Sequence, residues 1–207
     1  MTAMLAKVCG LTRAIDVACA LEAGADLIGF VHHPDSPRHC AALTELAPLA
    51  GDAGVLVMVA DSAEAILAVL ETTRLKRVQP YLQASVRAEA VQTLQAAGYQ
   101  VLLPWPDIEG QPQVDAALYV WETPKIATGV HGGSGQTHAA AFPPPGPFLL
   151  AGGIDAHNLA LRAQQLAPET AARLRGFDAA SRLESAPGIK DQHRLNQFVN
   201  KAHAYAL

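Results

Sequence analysis

Cys9 stands in Lys7-Val8-Cys9-Gly10-Leu11-Thr12-Arg13, where a short apolar run gives way to a segment of helical character. A thiol at such a junction can meet a ligand, and as thiolate it serves as nucleophile or general base. Two further stretches, Ala151-Gly152-Gly153-Ile154-Asp155 and Phe177-Asp178-Ala179-Ala180-Ser181-Arg182-Leu183-Glu184, also follow apolar runs. Paired glycines at a tight turn present backbone N–H groups to phosphate oxygens. Ser36-Pro37-Arg38 sets an arginine behind a proline, an arrangement suited to bidentate capture of a carboxylate. Gly132-Gly133-Ser134-Gly135-Gln136 offers backbone freedom near a ligand but lacks the Lys-Ser/Thr pair of a nucleotide-binding P-loop. His32, His33 and His39 with Asp35 invite a metal reading. Adjacent strand residues point to opposite faces, so no metal is expected there. Cys19, between Ala18 and Leu21, reads as packing in a helix.

The elements that must position these groups alternate along the chain. Apolar runs at Met4–Cys9, Asp26–Val31, Gly54–Ala60, Lys76–Gln79, Tyr99–Pro104, Ala116–Trp121, Pro147–Ala151 and Leu174–Ala179 read as strands, near-continuous enough to be buried on both faces of a parallel sheet. Helical spacing recurs from Ile15 to Ala23, Ala63 to Leu70, Arg87 to Ala97, Asn158 to Leu166 and Asp191 to Ala204. Gly24, Gly51 and Gly98 fall where helix C-terminal caps belong. The slots at Asp107–Val114 and Thr137–Phe142 are weaker, broken by Pro112 and by Pro143-Pro144-Pro145. Eight strands alternating with helices predict a single-domain (βα)8 TIM barrel of near-minimal size over residues 1–207, and a flavodoxin-like open sheet is the competing topology. In a barrel all the strand-end motifs share one mouth, and a phosphate site formed by the loops after strands seven and eight is a recurrent feature.

Composition narrows the classes. The chain of 207 residues is 50% hydrophobic and 16% charged, with a net charge of −4. Such a chain has the material for one sizeable core and no basic face for nucleic acid. Three cysteines fit neither a disulfide framework nor a CxxC metal site, and a reducing cytoplasmic setting is expected. No apolar run approaches the ~20 residues of a membrane span, and no signal peptide is evident.

The ordered motifs resemble those of the phosphoribosylanthranilate isomerase family. They are Lys7-Val8-Cys9-Gly10-Leu11-Thr12, Glu22-Ala23-Gly24-Ala25-Asp26-Leu27-Ile28-Gly29-Phe30-Val31, Ser36-Pro37-Arg38, Gly132-Gly133-Ser134-Gly135, Leu150-Ala151-Gly152-Gly153-Ile154 and Glu184-Ser185-Ala186-Pro187-Gly188-Ile189-Lys190-Asp191. The resemblance implies a βα barrel that performs an Amadori rearrangement in tryptophan biosynthesis without metal or organic cofactor. It implies Cys9 as general base, in surroundings that favour its thiolate, and Arg38 as the anthranilate-binding group. It further implies that Gly152, Gly153 and Ser181, with Arg182, hold the phosphate, and that Asp178 lies near the substrate. The partner is then a phosphorylated small molecule, and the protein a monomer or homodimer.

The chain also departs from the family pattern. The family's general acid is an aspartate at the end of strand six, where this chain has Leu118-Tyr119-Val120-Trp121-Glu122-Thr123. Glu122 is the nearest carboxylate, while Trp121 and Val120 compete for the slot. Val78-Gln79-Pro80-Tyr81-Leu82 replaces a Val-Gln-Leu-His-Gly pattern, Arg182 replaces a glycine, and Thr137-His138-Ala139-Ala140 replaces an aromatic segment. Besides the isomerase, a non-catalytic or repurposed paralogue that binds a sugar phosphate or protein partner fits these changes, as does an isomerase of another phosphorylated amino-sugar.

Overall fold

The structure, a computed structural model, describes residues 3–106, 109–110, 114–122 and 141–206. Eight parallel strands close into a barrel in sequential order. They are β1 (Leu5–Cys9), β2 (Leu27–His32), β3 (Gly54–Val59), β4 (Arg77–Tyr81), β5 (Gln100–Pro106), β6 (Leu118–Glu122), β7 (Phe148–Leu150) and β8 (Leu174–Ala179). Closure is made by β1 against β8, with Lys7 opposite Asp178. The open-sheet alternative is thereby removed.

The helices are α1 (Ala14–Glu22), α2 (Leu43–Ala50), α3 (Ala63–Thr73), α4 (Ala84–Ala96), α5 (Leu159–Gln164), α6 (Pro168–Ala171) and α7 (Gln192–His203). Helix α7 shows the local logic. Asp191 caps it by accepting from Arg194 N at 3.0 Å, and Leu195, Phe198, Val199 and Ala202 form its buried stripe, the spacing of a helix packed along one face. Gly24, Gly51 and Gly98 all take positive φ. Helix α2 does not figure among the sequence-predicted helices: it is short and carries Pro48 inside it, a residue that removes a helical N–H. A small antiparallel hairpin, β9 (Glu184–Ala186) with β10 (Ile189–Lys190), is also new, and it follows a 3-10 turn at Ser181–Leu183. The Gly132–Gly135 motif and most of the Thr137–Phe142 slot lie outside the described residues.

Strand alternation divides the core. Outward residues such as Phe30, Tyr119, Trp121, Phe148 and Phe177 pack beneath the helices, with Trp121 edge-on to Phe148 at 5.3 Å. Inward residues Cys9, Leu27, Val55, Val57, Tyr81, Leu102, Val120, Leu149 and Ala151 form a separate cluster inside the barrel. Each strand thus sends alternate side chains to two cores. The inner core is topped by polar groups at the C-terminal ends of the strands.

Candidate active site

Cys9 ends β1 and faces inward, 8% exposed, over the backbone of Gly29 on β2. A Cβ at Gly29 would lie 2.7 Å from the thiol sulfur and 3.2 Å from Cys9 Cα, so glycine at this register position makes the room the thiol occupies. Gly29→Ala is expected to displace the sulfur, lowering any Cys9-dependent turnover by about 100-fold and stability by about 1–3 kcal/mol. Steady-state kinetics and thermal denaturation of the same preparation read both effects.

Beneath the thiol, at i−2 on the same strand face, is Lys7, with no exposed surface at all. Its Nζ lies 2.9 Å from Asp178 Oδ2 on β8. The pair lacks aligned hydrogen-bond geometry, and Lys7 Nζ and Asp178 Oδ1 are both buried without a hydrogen-bond partner. Burial opposes the ammonium charge, yet Asp178 and Cys9 together hold the Lys7 pKa above its ordinary value. The expectation that the surroundings favour a Cys9 thiolate needs correction. Burial pushes the thiol pKa up, Lys7 and Lys190 pull it down, and Asp178 adds to the rise. The resting group is a thiol, because removing it from water penalises the anion more than the nearby lysines recover.

Across the mouth, the alternation of β6 decides between the three candidates for the acid position. Val120 belongs to the inner cluster and Trp121 to the outer one, so Glu122 points inward at the end of the strand. Its Oε2 accepts from the Tyr81 hydroxyl at 2.8 Å, and that hydroxyl in turn accepts from Gln79 Nε2 at 2.9 Å. Strand β4 runs to Tyr81, two residues beyond the sequence-predicted end at Gln79, and this extension carries the phenol into the barrel. Burial, then the charges of Glu122, Cys9 and Asp178, keep the Tyr81 pKa well above the ordinary phenol value. Tyr81 is therefore a protonated donor, and the amide of Gln79 directs its proton to Glu122.

Arg38 is not the solvated arginine that its loop position allows. It is 9% exposed, and its Nε and Nη2 grip Glu184 at the start of β9 at 2.8 Å each. Lys190 on β10 reaches the same carboxylate at 2.8 Å, so the hairpin presents Glu184 and Lys190 together to Arg38 from the loop after β2. Burial lowers the Lys190 pKa, against the pull of Glu184. The loop after β7 places Gly152 and Gly153 at φ +83° and +67°, a conformation open to glycine. Asn158 secures it by donating to Gly153 O at 2.7 Å and accepting from Asp155 N at 2.9 Å. Arg182 Nη1 lies 3.6 Å from Asp155 Oδ2, which joins this loop to the one after β8. Asp155, Ser181 and Arg182 line a cleft of about 310 Å³ with His157, Arg194 and Gln197.

The structure thus brings Cys9, Glu122 and Asp178 into the barrel mouth. Gly152 and Gly153 lie on one bordering loop, Ser181 and Arg182 on another. Lys7, Gln79, Tyr81, Glu184 and Lys190 lie within the quoted motifs, and it is the fold that gives them a place in the site. Period-two alternation alone would have flagged Lys7 and Tyr81, two positions from Cys9 and Gln79 on the same strand faces. Among the described residues no group of three or more His, Cys, Asp or Glu side chains could hold a metal ion, and His32, His33 and His39 make no such centre.

The family model described as "N-(5'phosphoribosyl)anthranilate (PRA) isomerase" matches residues 6–201. The chain belongs to the phosphoribosylanthranilate isomerase family. Among its relatives, N-(5'-phosphoribosyl)anthranilate isomerase of Azorhizobium caulinodans is 33% identical over 96% of this chain and 91% of its own length. That of Nitrobacter winogradskyi is 31% identical over 97% and 93%. The crystal structure of TrpF from Jonesia denitrificans superposes with a TM-score of 0.76 at 30% identity, covering 97% of each chain. The phosphoribosyl anthranilate isomerase of Thermus thermophilus gives 0.75 at 28% identity, over 96% of this chain and 98% of its own.

Proposed function

We infer that this protein is an isomerase of tryptophan biosynthesis that converts N-(5'-phosphoribosyl)anthranilate to 1-(2-carboxyphenylamino)-1-deoxyribulose 5-phosphate. Family membership over residues 6–201 carries the reading, and the placement of a thiol and a carboxylate in one barrel mouth supports it. In the proposed chemistry Glu122 delivers a proton to the ribose ring oxygen, and the ring opens to a Schiff base at C1. Cys9, as thiolate, then takes the proton from C2, and the electron pair moves to form the C1–C2 double bond while the iminium nitrogen becomes an amine. Tautomerisation of this enaminol to the ketone returns the protons, so no cofactor or metal is called for. Asp178 is proposed to orient the substrate hydroxyls. The guanidinium of Arg38, with Nε and Nη2 committed to Glu184, is proposed to offer Nη1 to the anthranilate carboxylate. Gly152, Gly153 and Ser181, with Arg182 beside them, are the proposed phosphate loops. The single-domain organisation, the monomeric or homodimeric state and the cytoplasmic setting belong to the same reading, in which neither nucleic acid nor membrane is a partner. Among the described residues no helix is long and apolar enough to cross a membrane.

Freshly prepared phosphoribosylanthranilate loses its fluorescence as it isomerises, and purified protein is expected to accelerate that loss catalytically. Complementation of a tryptophan auxotroph lacking this isomerase makes the same test in cells. Absence of turnover at high enzyme concentration, with the phosphorylated ligand still bound, would instead assign the protein to the non-catalytic barrels.

A further inference from the structure

We propose that Lys7 is the positioning residue of the Cys9 base: its buried ammonium, shared between Asp178 and the thiol, supplies the positive charge against which the Cys9 thiolate forms. The inference rests on the reading of Cys9 as the base, and it concerns a residue of the Lys7–Thr12 motif to which that reading gives no role. A lysine is rarely found without exposed surface, because desolvating an ammonium is costly unless anions compensate. Here the compensation is incomplete in a specific way. Closure of the barrel sets Lys7 opposite Asp178 in the β1–β8 register, yet their 2.9 Å contact lacks hydrogen-bond alignment and Asp178 Oδ1 stays without a hydrogen-bond partner. An ammonium has three N–H donors, and none of them is spent on Asp178 in aligned geometry. The inner face of the strand then leads directly from Lys7 to Cys9.

The groups facing the thiol come from several elements. Lys7 is on its own strand, Asp178 on β8, Lys190 on β10 with Glu184 and Arg38 behind it, and Tyr81 on β4 with Glu122 beyond. Of these, Lys190 is already held by Glu184 at 2.8 Å, so its charge is largely answered. Lys7 is the cation whose answering is divided. The division gives the two members of the ion pair opposite effects on the thiol, since Lys7 stabilises the thiolate and Asp178 opposes it.

The test titrates Cys9 in the substrate-free protein by ultraviolet thiolate absorbance and by alkylation rate against pH, with Cys9→Ser as the blank for Cys19 and Cys40. Lys7→Met is expected to move the titration to higher pH, with about a tenfold fall in thiolate fraction for each unit. The alkylation rate falls less, about threefold, because a more basic thiolate is intrinsically more reactive. Asp178→Asn is expected to move the titration the other way. Lys7→Met leaves a carboxylate buried alone, so the double variant Lys7→Met with Asp178→Asn serves if the single one does not fold. It is expected to titrate above wild type, because Lys7 stands two residues from Cys9 on the same strand face while Asp178 reaches the thiol from the neighbouring strand. Shifts of the same sign in Lys7→Met and Asp178→Asn, or no shift in any foldable variant, would overturn the role. Lack of turnover by wild type together with opposed shifts would sink the isomerase reading, and with it the role of Lys7 in catalysis, while leaving the pairing of Lys7 with the Cys9 thiolate standing.

Discussion

Cys9→Ala is expected to lower kcat/KM for phosphoribosylanthranilate by about 10²–10⁴-fold, the range that one general base contributes. Glu122→Gln should fall in the same range, because an amide cannot deliver a proton to the ring oxygen. The two groups act in successive steps, ring opening and then C2 deprotonation. The slower step governs the rate, so the double variant should resemble the worse single variant and fall well short of the product of the two losses. Glu122→Asp probes the distance. The shorter side chain retreats from Tyr81 and should retain more activity than Glu122→Gln while remaining about 10- to 100-fold below wild type. Steady-state fluorescence assays on folded variants measure all four. A Cys9→Ala protein as active as wild type would remove the base from the mechanism.

The pH profile supplies an independent check on the same residue. With the thiol pKa raised by burial, the base-competent thiolate of the free enzyme accumulates only as pH rises. The kcat/KM of wild type should therefore keep climbing past neutrality and show no plateau in the mildly acidic range. A pH-independent kcat/KM between mildly acidic and neutral conditions would contradict a buried, protonated resting thiol.

The barrel was legible because its strands are buried on both faces and so are written as apolar runs, from Met4–Cys9 to Leu174–Ala179. The same logic hid what breaks the pattern. Helix α2 is short and interrupted by Pro48, and the β9–β10 hairpin spans only Glu184 to Lys190, too few residues for a period to emerge. The position of Cys9 at a strand end could be read directly, whereas its ionisation could not. A thiol pKa depends on which charges closure brings near, and Lys7 meets Asp178 only because β1 joins β8 across the whole chain. Glu122 was one of three candidates in the sequence, and a single fact of the fold separated them: the direction of alternation in β6. Tyr81 is not legible as a partner, because a phenol in place of the family's histidine reads as a loss. In the fold it donates to Glu122.

Glu184→Ala is expected to be strongly destabilising. Its carboxylate accepts from Arg38 Nε and Nη2 and from Lys190 Nζ, each at 2.8 Å, while its own side chain is 4% exposed. Removing one member of a buried ionic cluster strands the others, at a cost of about 3–5 kcal/mol. In a chain of this length each kcal/mol shifts Tm by roughly 2–4 °C, so a fall of roughly 6–20 °C is expected. Glu184→Gln keeps acceptor geometry but leaves two cations facing a neutral amide, and it should lie between wild type and Glu184→Ala. The effect reaches the chemistry as well. With Glu184 gone, Arg38 loses the grip that fixes its guanidinium, and KM for phosphoribosylanthranilate should rise. Lys190, deprived of its carboxylate, loses the anion that offsets its burial, so its own pKa falls further and a charge that helps hold the Cys9 thiol pKa down is weakened. The acid limb of kcat/KM should accordingly move to higher pH in Glu184→Gln, while its absolute value falls. Calorimetry together with a pH–rate profile separates these consequences. A Glu184→Gln enzyme with lowered Tm but an unmoved acid limb would mean that Lys190 does not communicate with Cys9, and that the hairpin serves stability alone.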